Sequence, residues 1–259
     1  MYTFFQVSLL ITHYNRSSSL ANLLYTLKDL KCGFGEIIVS DDGSNEEHQG
    51  KLHLLQKAFG FKLITTPVNR GLGHNINKGQ DAVTKPYTLY IQEDFEPSAQ
   101  FPHLFLQGLE HMKAKKALDI VRFYAYSPYA YLKPFDEHFS QMFHPTFGTD
   151  YTKIYLYSDH PHLRRSDFFQ KFGRYPEGLK GDLTEYKMCI SFLQNKAQGL
   201  FYNDFSKLLI QKNSQQEPST MTRISWRESK AVWIKLLRDT YRQLKYNFDI
   251  IAQPPLRKL

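Results

Sequence analysis

Over its first hundred residues the sequence repeats one pattern: a short apolar, β-branched run that ends in polar residues, followed by a run with helical spacing. Gln6 to Thr12 is the first such run. Behind it, Ser17 to Leu30 carries Leu20, Leu23, Leu24, Leu27 and Leu30 at helical spacing, opened by serines that offer N-caps. Glu36 to Ser40, Lys62 to Thr66 and Tyr87 to Gln92 read as three further strands. Between them fall a helix announced by the capping-box spacing of Ser44 and Glu47 and another from about His74. Strands alternating with helices in this way predict an α/β fold with a mostly parallel central sheet, right-handed crossovers and helices on its faces. In such sheets ligands bind beyond the carboxyl ends of the strands.

Three polar clusters fall at those ends: Thr12-His13-Tyr14-Asn15, Asp41-Asp42-Gly43-Ser44 and Glu93-Asp94-Phe95-Glu96. The last sits in YIQEDFEPS, where three carboxylates crowd into four positions after a buried-type strand. Like charges repel, and near a sheet edge they also lose hydration. A hard divalent cation such as Mg²⁺ or Mn²⁺, held by one or two carboxylates plus phosphate oxygens, explains such a cluster; a solvated loop before Pro97 is the plainer alternative. Asp41-Asp42-Gly43-Ser44 by itself is equally a turn and a cap. NRGLGHNINKG invites a dinucleotide reading, but Ile76 stands where the third glycine belongs and the motif follows the third strand rather than the first. No GxxxxGK[ST] phosphate loop occurs.

Charge and composition narrow the partners. The 259 residues are 42% hydrophobic, enough for a sizeable core, and carry a formal charge of +8. Of this, net +6 lies between Arg223 and Lys258. The nearly neutral body lacks the basic face of a nucleic-acid-binding domain, so no nucleic-acid partner is expected. No run approaches the roughly 18 consecutive apolar residues of a membrane span. The opening MYTFFQVSLLITHYN has no basic leader region, so a cytoplasmic chain is expected. Cys32 and Cys189 have neither disulfide-framework nor metal-site spacing.

Taken together, VSLLITHYNR, EIIVSDDGSN, NRGLGHNINKG and YIQEDFEP, in this order and spacing, resemble the nucleotide-binding half of family 2 glycosyltransferases, which have the GT-A (nucleotide-diphospho-sugar transferase) fold. The resemblance covers residues 7 to about 97. It implies that Thr12, Tyr14 and Asn15 line a nucleotide pocket, that Asp42 or its neighbour Asp41 bonds the base, commonly uracil, and that Asn69 and Arg70 lie nearby. Glu93, Asp94 and Glu96 stand where the family has its DxD metal and diphosphate motif, with Asp94 and Glu96 the implied metal ligands and Glu93 beside the nucleotide. Glu-Asp-Phe-Glu is not Asp-x-Asp, so which carboxylate takes the metal is open at this point. GDLTEYKM resembles the family's acidic motif at the start of a helix facing the acceptor; it makes Asp182 the implied catalytic base, with Glu185 in reserve, although the two also have capping-box spacing. The resemblance thus implies an inverting, metal-dependent transfer from a nucleotide-diphosphate sugar to a hydroxyl acceptor such as a surface glycan or lipid-linked saccharide. A protein that keeps the pocket and has lost the chemistry, a nucleotide-sugar-binding scaffold, is the alternative raised by the altered motif.

The second half is read as a continuation of one domain, 1–212, with 1–97 as its nucleotide-binding half and 98–212 facing the acceptor. A helix is expected from about Phe101 to Lys115, then aromatic-rich strands in VRFYAYSPYAYLKPF and YTKIYLYSDHPHLRR. Tyr124, Tyr126, Tyr129 and Tyr131 can stack on sugars or fill the core; His160, His162, Arg164 and Arg165 can meet a diphosphate or be structural. Residues 213–259 read as a polar linker and a basic amphipathic helix from about Ile224 to Asn247, with Trp226, Trp233, Leu236, Leu237 and Leu244 on one face and Arg227, Lys235, Arg238, Arg242 and Lys245 on the other. Such a helix can pack on its own domain or lie in an anionic membrane surface, which would place the chain at the inner face of the cell membrane.

Overall fold

The computed structural model describes residues 1–144, 150–212, 217 and 232–258, with side chains in the last helix described from Leu237 onward. The alternation read in the first half becomes four parallel strands, β1 (Tyr2–His13), β2 (Cys32–Asp41), β3 (Lys62–Ile64) and β4 (Tyr87–Gln92), in the order β3-β2-β1-β4. Their crossovers are α1 (Ser17–Asp29), α2 (Glu46–Phe59) and α3 (Leu72–Asp81). Leu9, Leu10 and Ile11 are fully buried, and because successive strand residues face opposite sides, Leu9 and Ile11 enter one core while Leu10 enters the other. The sheet therefore has to be covered on both faces, which the continuous apolar run already required.

Beyond β4 the sheet becomes mixed. After β5 (Phe95–Pro97), α4 (Phe101–Ala114) and β6 (Ile120–Arg122), the short strands β7 (Leu132–Pro134) and β8 (Phe139–Met142) form an antiparallel edge. Later in the chain β9 (His162–Arg165) inserts antiparallel between β4 and β6, and β10 (Gly199–Tyr202) joins β6 in parallel, completing a nine-stranded sheet. The insertion of β9 puts its amino end beside the carboxyl ends of β4 and β6. Residues just before β9 thus reach the end of the sheet where the polar clusters lie.

Several boundaries differ from the sequence reading for local reasons. Asn45, not Ser44, caps α2, accepting from the His48 amide at 3.1 Å, because the Ser44 hydroxyl donates to Asp41 instead. Tyr151–Leu156 is a 3-10 helix rather than a strand; the Asp150 carboxylate accepts from the Thr152 amide at 2.8 Å and starts the turn. The stretch from 123 to 131, with its tyrosines, is not a strand. In the GLG motif, Gly71 has φ of 88°, and a Cβ on Gly73 would lie 2.4 Å from the Pro176 carbonyl oxygen, so the two glycines serve a turn and a close approach.

The remaining elements are α5 (Phe168–Phe172), α6 (Gly181–Gln194), β11 (Leu209–Gln211), which pairs with β5 in a two-stranded sheet, and α7 (Val232–Ala252). The proposed linker lies outside the described residues except for Glu217, as do Trp226 and Arg227 and the side chains of Trp233, Lys235 and Leu236. α7 is not a detached tail: its Asp249 and Tyr246 meet Tyr186 of α6, and Tyr151 donates to Asp239 at 3.0 Å.

Candidate functional site

The carboxyl ends of β1 and β2 are locked together by polar contacts. Thr12 Oγ1 and the Tyr90 hydroxyl of β4 are 3.1 Å apart, and His13 Nδ1 lies 2.8 Å from Asp41 Oδ1. Asp41 is wholly buried and also accepts from the Ser44 amide at 3.1 Å and its hydroxyl at 2.5 Å. Burial pushes this carboxyl up, but the bonds from His13 and Ser44 outweigh it and hold Asp41 below the usual carboxylate range. Asp41 is the anchor of the turn. Its neighbour Asp42 accepts from the Arg70 amide at 3.0 Å and the Gly71 amide at 2.8 Å, fastening the Asn69–Gly71 loop across the end of β2. Asn69 Oδ1 shares the Gly71 amide at 3.0 Å, and the Arg70 guanidinium reaches out to Glu177 at 3.3 Å. Asn15, at φ of 51°, accepts from the Asn45 amide at 2.9 Å, and Tyr14 beside it is half-buried. Lys78 donates to the Asp41 carbonyl at 2.5 Å.

The three crowded carboxylates are each neutralised differently. Arg16 Nη1 lies 3.0 Å from Asp94 Oδ2, with the Arg16 side chain 7% and Asp94 5% exposed. Lys212 Nζ pairs with Glu96 at 2.5 Å. Burial and the adjacent Asp94 push the Glu93 carboxyl up to about 8, towards its neutral form, against the pull of Arg16. Gln211 donates to Asp94 Oδ2 at 2.8 Å, and the Lys212 amide donates to the Asp94 carbonyl at 2.7 Å. Arg16 Nη2 also donates to the Glu217 carbonyl at 3.1 Å, while the Glu217 carboxylate accepts from the Ser18 and Ser19 amides, both at 2.9 Å. The sequence reading did not name Arg16 or Gln211. The signal for Arg16 was a single cation directly after the first strand-end cluster; Gln211 had none, since it lies 117 residues from its partner.

Among the described residues no group of three or more His, Cys, Asp or Glu side chains is arranged to hold a metal. Asp94 Oδ1, however, is buried without a hydrogen-bond partner. An unsatisfied hard oxygen beside a second carboxyl suits Mg²⁺ or Mn²⁺, which take one or two carboxylates when phosphates supply other ligands. The residues present therefore fit such an ion at Asp94 and Glu93, whereas Glu96 is held by Lys212, just past β11.

On the other side stand α6 and the chain before β9. Asp182 lies exposed in the first turn of α6, where Lys180 is the N-cap, and its carboxylate accepts from the Leu183 amide at 2.9 Å. Glu185, one turn further, is half-buried; its Oε1 accepts from the Asp159 amide at 3.2 Å and its carboxylate bonds the Asp159 side chain. Burial, with Glu185 facing it, drives Asp159 well above the usual carboxyl range. The buried Arg122 guanidinium beside the pair donates to the Tyr155 carbonyl at 2.6 Å. Capping-box spacing at Asp182 and Glu185 thus has another use: Glu185 turns inward to Asp159.

The other candidates divide clearly. Tyr126 donates to Gln211 at 2.8 Å and stands edge-on to His160, ring centres 4.6 Å apart, so Tyr124, Tyr126 and His160 line the Asp94 side. Tyr129 bonds the Phe143 carbonyl and Tyr131 accepts from the Asp150 amide, both away from it. His162 is fully buried against Tyr90 and Tyr157. Arg164 is enclosed by Gln80 and Tyr175, and Arg165 donates to the Leu118 and Met112 carbonyls. These three are structural.

The sequence pattern described as glycosyl transferase family 2 matches residues 8–173. Two poly-β-1,6-N-acetyl-D-glucosamine synthases of Staphylococcus epidermidis are each 27% identical over 88 residues, which is 34% of this chain and 21% of theirs. The chain thus spans about a fifth of the length of these curated relatives. The crystal structure of S. aureus TarS 1–349 in complex with UDP-GlcNAc superposes with a TM-score of 0.62 at 14% identity, over 96% of this chain and 71% of that one. Another of TarS 1–349 superposes at 0.57 and 15% identity, over 77% and 58%. At these identities the likeness is one of fold.

Proposed function

This chain belongs to glycosyl transferase family 2, and from that premise we propose that it transfers a sugar from a UDP-sugar to a hydroxyl of a surface glycan or lipid-linked saccharide. One observation carries the reading: Asp42, Asp94 and the Asp159–Glu185 pair gather at one end of the sheet, where a diphosphate, a base and an acceptor can be held together. The solved complex of a structural neighbour with UDP-GlcNAc supports the donor class, and the synthase relatives, named for a polysaccharide, support a surface glycan.

In this reading Asp42 holds the Asn69–Gly71 loop as the wall of the nucleotide pocket, with Thr12, Tyr14, Asn15 and Arg70 around it. A divalent ion, Mg²⁺ or Mn²⁺, would be held by Asp94 with Glu93 behind it, and when bound offsets charge on the leaving diphosphate. Arg16 already places positive charge beside Asp94 and stabilises the same developing charge. Glu185 is the base we assign: it takes the acceptor hydroxyl proton as that oxygen bonds the anomeric carbon and the bond to UDP breaks, with inversion. The hydrogen bonds from the Asp159 amide and to its side chain fix the orientation of Glu185. Asp182, the base implied by the family resemblance of GDLTEYKM, is the comparator. A lipid-linked acceptor would bring the protein to a membrane surface, although no helix among the described residues is long and apolar enough to cross one.

A binding-only scaffold is the second reading, favoured by the internal neutralisation of all three carboxylates. The test is UDP release from a panel of UDP-sugars, with and without Mn²⁺ and a glycan acceptor. Release that depends on acceptor supports transfer; UDP binding without release from any donor supports the scaffold.

A further inference from the structure

α7 is turned the wrong way for a helix that serves only to cover its own domain. Its most solvent-exposed apolar side chains are Leu237, Tyr241, Leu244, Phe248 and Ile251, each between 62% and 87% exposed. Their spacing of four, three, four and three residues aligns them in one stripe about 21 Å long at 1.5 Å per residue. The inward side packs on the domain through Tyr246 and Ile250 and through polar contacts. Tyr246 packs on Tyr186 and Tyr151, Arg242 lies over the Tyr151 ring, Lys245 lies over Tyr186, and Lys153 donates to Asn247. Contiguous exposed apolar surface of this kind marks a contact site.

Charge identifies the occupant. Residues 237–258 hold five basic side chains, Arg238, Arg242, Lys245, Arg257 and Lys258, against two acidic ones. Both acids are engaged within the fold, Asp239 by Tyr151 and Asp249 by Lys245 and Tyr186. Arg242 and Lys245 pair with these same two acids, so the exposed positions of the helix, Leu237, Thr240, Tyr241, Leu244, Phe248, Ile251 and Ala252, carry no charge, and the exposed cations at the end of the stripe are Arg257 and Lys258. An anionic lipid surface meets both features, taking the apolar stripe into the acyl boundary and the flanking cations at the headgroups.

We propose that α7 is a membrane-surface anchor, lying in the plane of an anionic bilayer with Leu237, Tyr241, Leu244, Phe248 and Ile251 inserted. This goes beyond the transfer reading and stands without it. It also sets geometry: α7 rests on α6 through Tyr186, adjacent to Glu185, so the helix bearing the assigned base lies close to the bilayer.

The test is flotation of the full chain with phosphatidylglycerol–phosphatidylcholine vesicles and with pure phosphatidylcholine vesicles, alongside light scattering. The chain is expected to float with the anionic vesicles and not the neutral ones. Leu244→Glu with Phe248→Glu should lower the bound fraction about tenfold or more. Arg257→Glu with Lys258→Glu, which leaves the stripe intact, should also lower it, by about tenfold. Both pairs are at exposed positions, and unchanged melting curves confirm their folds. The proposal is overturned if the chain stays in solution with anionic vesicles or if the Leu244/Phe248 variant binds as tightly as the parent. A concentration-dependent dimer that this variant abolishes, without vesicle binding, makes a second copy the occupant.

Discussion

The Arg16 guanidinium and the Asp94 carboxylate meet at 3.0 Å, both almost completely withdrawn from water. A buried pair is costly to assemble but more costly to break, because the survivor keeps its charge without a partner. Asp94→Asn is therefore expected to destabilise the fold by ~3 kcal/mol or more. Adding Arg16→Met should recover part of that loss, measured as a non-additive double-mutant cycle in urea unfolding. Strict additivity would mean the two side chains do not interact.

UDP should raise the melting temperature by mass action, and Mn²⁺ should increase the shift. Because Asp94 Oδ1 is a buried carboxylate oxygen without a hydrogen-bond partner, the Mn²⁺-dependent part should vanish in Asp94→Asn and on adding EDTA to the parent protein. Persistence of that part in the variant would move the metal elsewhere.

Asp42 receives two backbone N–H groups of the loop at Arg70 and Gly71. Charge-assisted bonds of this kind contribute roughly 1.5–3 kcal/mol each. Asp42→Ala should loosen the loop and weaken UDP affinity by about tenfold or more in calorimetric titration. An unchanged affinity would remove the loop from the pocket wall.

Glu185→Gln should lower transfer by ~10²–10⁴-fold, the usual range for a general base. Asp159→Asn mimics the protonated carboxyl and should retain most of the rate, with an altered pH profile. Asp182→Asn should change the rate least. A large loss only at Asp182 would return the base to the position implied by the family resemblance.

His162 is buried with Nε2 unpartnered, and burial together with Arg164 holds it well below its ordinary value of 6.5. The folded state therefore resists a proton that the unfolded chain accepts below 6.5. Its contribution to stability is complete above that pH and is lost as pH falls. Denaturant unfolding should show stability declining below about pH 6.5. The decline should be shallower in His162→Phe; an equal slope would assign it to other groups, His160 first, which burial and Arg122 push down to about 3.

The amino-acid sequence by itself determined the parallel block and the end of the sheet that carries the chemistry. Leu9-Leu10-Ile11, the leucines of α1 and the polar residues closing β1, β2 and β4 are short-range patterns, and period and position along the chain suffice to read them. Only the tertiary structure decided which charges meet. Arg16 finds Asp94, and Gln211 reaches back from β11. β9, inserted between β4 and β6, brings Asp159 to Glu185. The outward orientation of the α7 stripe is of the same kind: the sequence placed Leu237 and Leu244 on one face of a helix ending near Asn247, but the longer stripe to Ile251 and what faces it depend on where Tyr151 and Tyr186 lie. Periodicity is set by neighbours a few residues away, whereas ion pairs and exposed faces depend on segments tens of residues or more apart, whose meeting is set by the order of strands in the sheet.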